Sequence, residues 1–218
     1  MHRKNLKGWN EVKTNDSWSV FKIMGEFVDG FENLSKIGPC VSIFGSARTK
    51  SDHPHYKLTT EVAEKIVELG FGIITGGGPG IMEAANKGAK KALGPSVGLC
   101  IELPFEQTIN KYIDDDKSLD FDYFFVRKVM FMKYAQAFVV MPGGFGTLDE
   151  CMEILTWKQL GLHNRPIVIL DIDGCWKSLK DLFTDLTTNE FTNSDSINLF
   201  SIENQVSSVF HAINEMNQ

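Results

Sequence analysis

Asp149 and Glu150 follow directly on Pro142-Gly143-Gly144-Phe145-Gly146-Thr147-Leu148. A carboxylate placed there can stabilise positive charge or orient a water, provided that something holds a ligand against it. The glycines suit the holding. Three glycines within four residues let a backbone approach a ligand without Cβ clashes. Free N–H groups at a helix start then attract an anion, a phosphate above all. A second reading of the same residues stays open: Thr147-x-x-Glu150 has the form of a capping box, and the glycines would then only make a sharp turn. Upstream, Arg127-Lys128 are two cations close to an expected helix start, where the macrodipole disfavours them unless an anion is near. They are ordinary solvated bases if the helix starts earlier.

The elements that must position these residues alternate. The run 137–141 reads as a buried strand and 147–160 as a helix. Ahead of them, residues 40–44, 71–75 and 96–101 read as strands, with helices over 56–69 and 81–93. Residues 121–126 are strand-like and aromatic, 166–170 form the fifth parallel-type strand, and 175–186 a helix. A polar loop over 187–196 and a terminal helix carrying Ile202, Val206, Val209, Phe210 and Ile213 complete the chain. This alternation predicts an α/β fold with a doubly wound parallel sheet. Before it, an apolar stripe from Trp18 to Ile37 predicts an amphipathic helix from residue 16, with residues 1–15 polar and mobile. The expected organisation is an N-terminal extension over 1–37 and one nucleotide-binding domain over 38–218.

In open α/β sheets ligands gather at the carboxyl ends of the strands, so the loop after each strand matters. After the first, Ser46 and Arg48 are placed to touch a ligand; the other reading is a plain turn with Arg48 solvated, and the ligand reading is favoured for Ser46 more than for Arg48. After the second, Gly76-Gly77-Gly78-Pro79-Gly80-Ile81-Met82-Glu83 forms another glycine turn. It lacks the third glycine of a dinucleotide fingerprint and the lysine of a P-loop. Gly78 and Glu83 join the candidate ligand contacts, although Glu83 also fits as a first-turn acid favoured by the helix dipole. After the third strand, Glu106 is the carboxylate of a loop that can wrap a ligand, or a solvated loop acid.

The chain has 218 residues, 43% of them hydrophobic, and a net charge of -6. That suits one core and offers no basic footprint for nucleic acid or an anionic membrane. The four cysteines form no Cys-x-x-Cys pair, so neither a metal site nor a disulfide framework is implied. No stretch approaches a membrane span and no apolar leader follows the first residues, which predicts a soluble, cytoplasmic protein.

The glycine turn 76–83, Arg127-Lys128 and the string from Pro142 to Glu150 together resemble the Lonely Guy (LOG) family. Its members are Rossmann-like nucleoside 5'-monophosphate phosphoribohydrolases, best known for activating cytokinins and often labelled possible lysine decarboxylases. The resemblance spans about residues 38–185 and leaves the first helix outside. It implies that Arg127 and Glu150 are the catalytic pair, that Gly144, Gly146 and Thr147 receive the phosphate, and that Lys128, Glu106, Asp149 and Thr156 contact the nucleotide; Gly143 and Phe145 join the candidate substrate contacts as the rest of the 143–147 turn. It implies no cofactor and no metal, and a homodimer or higher homo-oligomer with the site near the subunit interface. Asp149 departs from the plant-type pattern of two glutamates, and the stretch after Gly80 matches bacterial relatives. A carrier or sensor of a phosphorylated ligand is the alternative, because molybdenum-cofactor carriers share a similar fold. Pyridoxal chemistry is disfavoured, since no lysine sits beside either glycine turn.

Overall fold

The computed structural model describes residues 6–101 and 108–214. Seven strands form one sheet: β1 (Cys40–Phe44), β2 (Gly72–Thr75), β3 (Ser96–Ile101), β4 (Ser118–Phe121), β5 (Ala135–Val140), β6 (Ile167–Leu170) and β7 (Ser201–Glu203). Their spatial order is β4-β3-β2-β1-β5-β6-β7, and every pairing is parallel. The strand order reverses between β1 and β5, which are neighbours. At that switch point the loops after two adjacent strands leave in opposite directions and open a crevice.

Burial explains why the central strands read as unbroken apolar runs. β1, β2, β3 and β6 are buried along their whole length, as a parallel sheet covered on both faces requires. Phe138 and Val140 of β5 point into one apolar layer with Phe44, Leu99, Met130 and Ile154. Ala137, Val139 and Met141 point into the other with Ile43, Ile66, Ile73 and Ile81. The first layer is closed by α1 (Leu6–Leu34), α4 (Phe124–Tyr134), α5 (Phe145–Gln159) and α6 (Lys177–Thr188). The second is closed by α2 (Pro54–Glu68), α3 (Ile81–Lys91) and α7 (Val206–Asn214). Helix start and stop signals act locally. Pro54 occupies the first turn of α2, the His53 ring accepts from the His55 N–H, and Gly70 at φ 92° ends the segment.

α1 lies on α4. Leu34 is buried there, Ile23 and Phe27 pack against the same layer, and Gly30 lets Met130 approach, since a Cβ would meet its Cε at 2.6 Å. Glu26 accepts the backbone N–H groups of Asp122 and Tyr123 at 2.9 and 3.4 Å, and the Tyr134 hydroxyl donates to the Phe31 carbonyl. Beside that contact α1 exposes Trp18, Phe21, Met24 and Val28, with Phe31 at the border under Lys133 of α4.

Several elements differ from the sequence reading. The first helix begins at Leu6 and not at residue 16, so residues 6–15 are helical. The aromatic run 121–126 is divided: β4 ends at Phe121 and α4 begins at Phe124, because a short apolar run cannot by itself distinguish a strand from a buried helix start. Ile202 lies in β7, an added edge strand beside β6, and the terminal helix starts only at Val206. Within the expected loop 187–196, α6 continues to Thr188 and a 3-10 turn, Ser194–Leu199, begins. No helix among the described residues is long and apolar enough to cross a membrane.

Candidate active site

α5 starts directly after β5, with Gly144 as its N-cap and no side chain capping it. Thr147 therefore lies inside the first turn and is not the cap, which removes the capping-box reading. The Leu148 N–H reaches back to the Gly144 carbonyl at 3.0 Å, while the N–H groups before it have no intrahelical acceptor. Thr147 is buried, yet its hydroxyl has no hydrogen-bond partner among the described residues. Gly143 is needed for packing, since a Cβ there would run into the Thr147 side chain. Gly144 and Gly146 are different. A Cβ at either would meet nothing within 4 Å, and Gly144 sits at φ -99°, open to any residue.

That helix start borders a cavity of about 610 Å³ at the switch point, within the usual range for a small-molecule site. Its floor and walls include Phe44, Ser46, Gly76, Met82, Ile101, Phe124 and Phe131, and its polar end Arg48, Arg127, Thr147, Asp149 and Glu150. Phe145, 92% exposed, stands at the rim. The β1 loop is tied in from both sides: Ser46 N–H donates to the Pro142 carbonyl at 3.0 Å, and its carbonyl accepts from Ile81 N–H at 2.9 Å.

Arg127 lies one turn into α4 and is buried. Its Nε donates to the Leu99 carbonyl at 2.7 Å and one terminal nitrogen approaches the Gly76 carbonyl at 3.5 Å. The guanidinium also lies over the Phe131 ring at 5.3 Å. The helix does start earlier than residue 127, but Arg127 is not a solvated base. It is a cation fixed by the ends of two strands, with donors left over for the cavity. Burial pulls its pKa below the ordinary value, opposed by Glu150. Burial likewise pushes the Glu150 carboxyl up to about 7, against the pull of Arg127 and Lys128. No ion pair within 4 Å joins Arg127 and Glu150, so each can reach a guest between them. Lys128 turns away from the cavity to Asp149 at 2.9 Å and Glu153 at 3.2 Å. These partners hold it charged, despite burial, above its ordinary pKa.

The family model described as "Possible lysine decarboxylase" matches residues 82–213. The chain is 27% identical over 183 residues to the probable cytokinin riboside 5'-monophosphate phosphoribohydrolase LOG4 of Oryza sativa subsp. japonica, covering 80% of this chain and 76% of that one. It is 34% identical over 131 residues to the cytokinin riboside 5'-monophosphate phosphoribohydrolase LOG7 of Arabidopsis thaliana, covering 56% and 55%. The chain belongs to the LOG family. Among solved structures, TM1055 aligns with a TM-score of 0.60 at 18% identity over 81% of this chain and 99% of that one. The molybdenum cofactor binding protein of Rippkaea orientalis aligns with a TM-score of 0.60 at 21% identity, over 83% and 96%. At such identities the likeness is one of fold.

Of the residues singled out by likeness to the LOG family or by the strand-end argument, Ser46, Arg127, Gly144, Phe145, Gly146, Thr147, Asp149 and Glu150 line the one cavity. Gly78 and Glu83 do not. The Gly78 carbonyl accepts from Asn110 at 3.1 Å and Glu83 accepts from the Tyr56 hydroxyl at 3.0 Å, so both serve the scaffold of the other glycine turn. Gly143 supports Thr147, and Lys128 steadies Asp149. Thr156 donates to the Met152 carbonyl and lines a separate cavity between α5, α6 and the 3-10 turn. Glu106 lies outside the described residues. Sequence reasoning undervalued Arg48, which lines the cavity with no ion-pair partner among the described residues. It also passed over Asn86 and Asn110, two buried amides that hold the turn after β2. The Thr75 hydroxyl donates to the side-chain Oδ1 of Asn86 at 2.6 Å, and the Asn110 side chain donates to the same oxygen at 3.0 Å. Asparagine inside a predicted helix face was the available signal. No lysine, the residue with which pyridoxal phosphate forms a Schiff base, is among the described residues that line the cavity.

Proposed function

We propose that the chain is a hydrolase that cleaves the N-glycosidic bond of nucleoside 5'-monophosphates, of the AMP or cytokinin riboside monophosphate type, to free base and ribose 5-phosphate. One observation carries the reading: an uncapped helix start with two glycines that the protein's own packing does not require faces the same cavity as Arg127 and Glu150. The 5'-phosphate would sit on the N–H groups and hydroxyl of residues 144–147, with Arg48 as a counter-charge. Its binding would place C1' of the ribose by Glu150. As the C1'–N bond breaks, positive charge grows on the sugar, and the Glu150 carboxylate stabilises it and orients the incoming water. The water oxygen bonds to C1' and a water proton ends on the departing base. Arg127 clamps the nucleotide. Because phosphate binding energy is spent on this placement, adenosine should be a poor substrate. The names borne by the curated relatives support this class of substrate. The working unit we propose is a homo-oligomer.

The test is an assay of free base and ribose 5-phosphate released from AMP, other nucleoside monophosphates and a cytokinin riboside monophosphate. Release should fall on the order of a hundredfold or more in Glu150→Gln. In the wild-type protein kcat/KM should rise as pH passes about 7, since the ionised carboxylate is the working form. Unchanged turnover in Glu150→Gln would overturn the mechanism. Binding without release from any nucleotide would instead favour a carrier or sensor of a phosphorylated ligand.

A further inference from the structure

We infer that α1 presents a second packing seam, separate from the one it buries on α4, and that this seam is closed by α1 of a second copy of the chain. The residues of the two seams are distinct. Ile23, Phe27, Gly30 and Leu34 face α4 and the core. Phe21, Met24 and Val28 face outward with exposures of 65%, 56% and 59%, and Phe31, 40% exposed, stands at the border with α4, its ring against Phe27 and under the Lys133 ammonium at 5.2 Å. Their spacing of three, four and three residues is the a/d pattern of a helix that packs lengthwise on another helix. Trp18, 68% exposed, extends the patch and leans on Phe21 with ring centroids 5.7 Å apart.

The surface is too large to be incidental. Aromatic side chains offer ~150–250 Å² each, so the seam and Trp18 leave on the order of 600 Å² of mainly apolar surface in water. That reaches the upper end of what monomers expose, about 300–600 Å², and approaches the ~800 Å² that each partner gives to a standard interface. Beside the seam lies Gly25, in the helix interior, where a Cβ would meet nothing within 4 Å. A mid-helix glycine costs roughly 0.5–1 kcal/mol relative to alanine, and nothing inside this chain uses the space. Close approach of a second helix does. The inference names α1 as the contact, which the proposed activity leaves open, and it stands whether or not that activity is found.

The experiment is molar mass by light scattering over a range of concentration for the full chain, for Phe21→Glu/Val28→Glu, and for Phe21→Ser/Met24→Ser. All altered positions are exposed, and thermal melts report whether each variant is folded. The expected result is a wild-type mass that halves in both variants, with melting still cooperative. A wild-type mass equal to that of the folded variants would overturn the inference, whether both are monomers or both share a larger assembly held elsewhere. The serine pair keeps the test open if the glutamates disturb folding.

Discussion

The molecule contains two glycine turns, one after β2 and one after β5, that look alike in sequence and differ in what the glycines are for. In the first, each informative glycine answers to the protein. A Cβ on Gly76 would collide with the Arg127 guanidinium, and Gly77 and Gly80 adopt φ of 75° and 70°. The space beside Gly80 is taken by the Ser46 and Ala47 backbone. Two carbonyls of that turn are consumed internally, with Asn110 donating to Gly77 and Gly78, and the Ile81 N–H donates to the Ser46 carbonyl, although no side chain caps the start of α3 either. In the second turn, Gly144 and Gly146 adjoin open space and the helix start lacks a cap. Glycine enrichment alone therefore does not mark a ligand site. What separates the two uncapped helix starts is open space beside the glycines of the second.

The contrast can be broken in four ways, in descending order of effect on stability. Gly80→Ala should destabilise most, by about 3 kcal/mol or more, because it adds left-handed strain to a clash with fixed backbone; a melt close to wild type would contradict the scaffold role. Asn86→Ala should cost about 2–3 kcal/mol in denaturant unfolding, since Thr75 and Asn110 lose a buried acceptor together. Glu150→Gln should raise stability by on the order of 1–3 kcal/mol at pH 8 and little at pH 5. The sign follows from a folded-state pKa near 7 that lies above the unfolded value. The wild type binds the extra proton only when folded, so it loses that stability as pH rises through 7, whereas glutamine does not titrate. Paired melts at the two pH values decide this. Gly146→Ala should change stability least, by under about 1 kcal/mol and in the favourable direction, while lowering kcat/KM at least tenfold by filling space meant for the phosphate. An alanine variant with full activity would place the ligand elsewhere.

The sheet was legible because central parallel strands are apolar on both faces, and β1, β2, β3 and β6 needed no further information. What sequence could not separate were the edges. β4 and β7 are short, half-exposed and paired on one side, so Leu119 and Ile202 have no pattern that distinguishes strand from helix or loop. The candidate site was legible where the residues that line its cavity are consecutive, from Gly144 to Glu150. It was not legible where a role depends on distant backbone. The anchoring of Arg127 on the Leu99 and Gly76 carbonyls and the placing of Arg48 at the cavity arise only when loops from β1, β2 and β3 converge. Thr156 shows the converse, since its place on α5 aims it into a different cavity from the one that Glu150 borders.

The Glu26 carboxylate receives the two backbone N–H groups that lead into α4, the helix on which Arg127 is mounted. An appendage with no described residue lining the cavity thus braces the start of the helix that does line it. On the proposed mechanism, shortening the chain to its sheet-bearing part would lower turnover through a loosened arginine, and such a loss could be mistaken for evidence that the leading helix touches substrate.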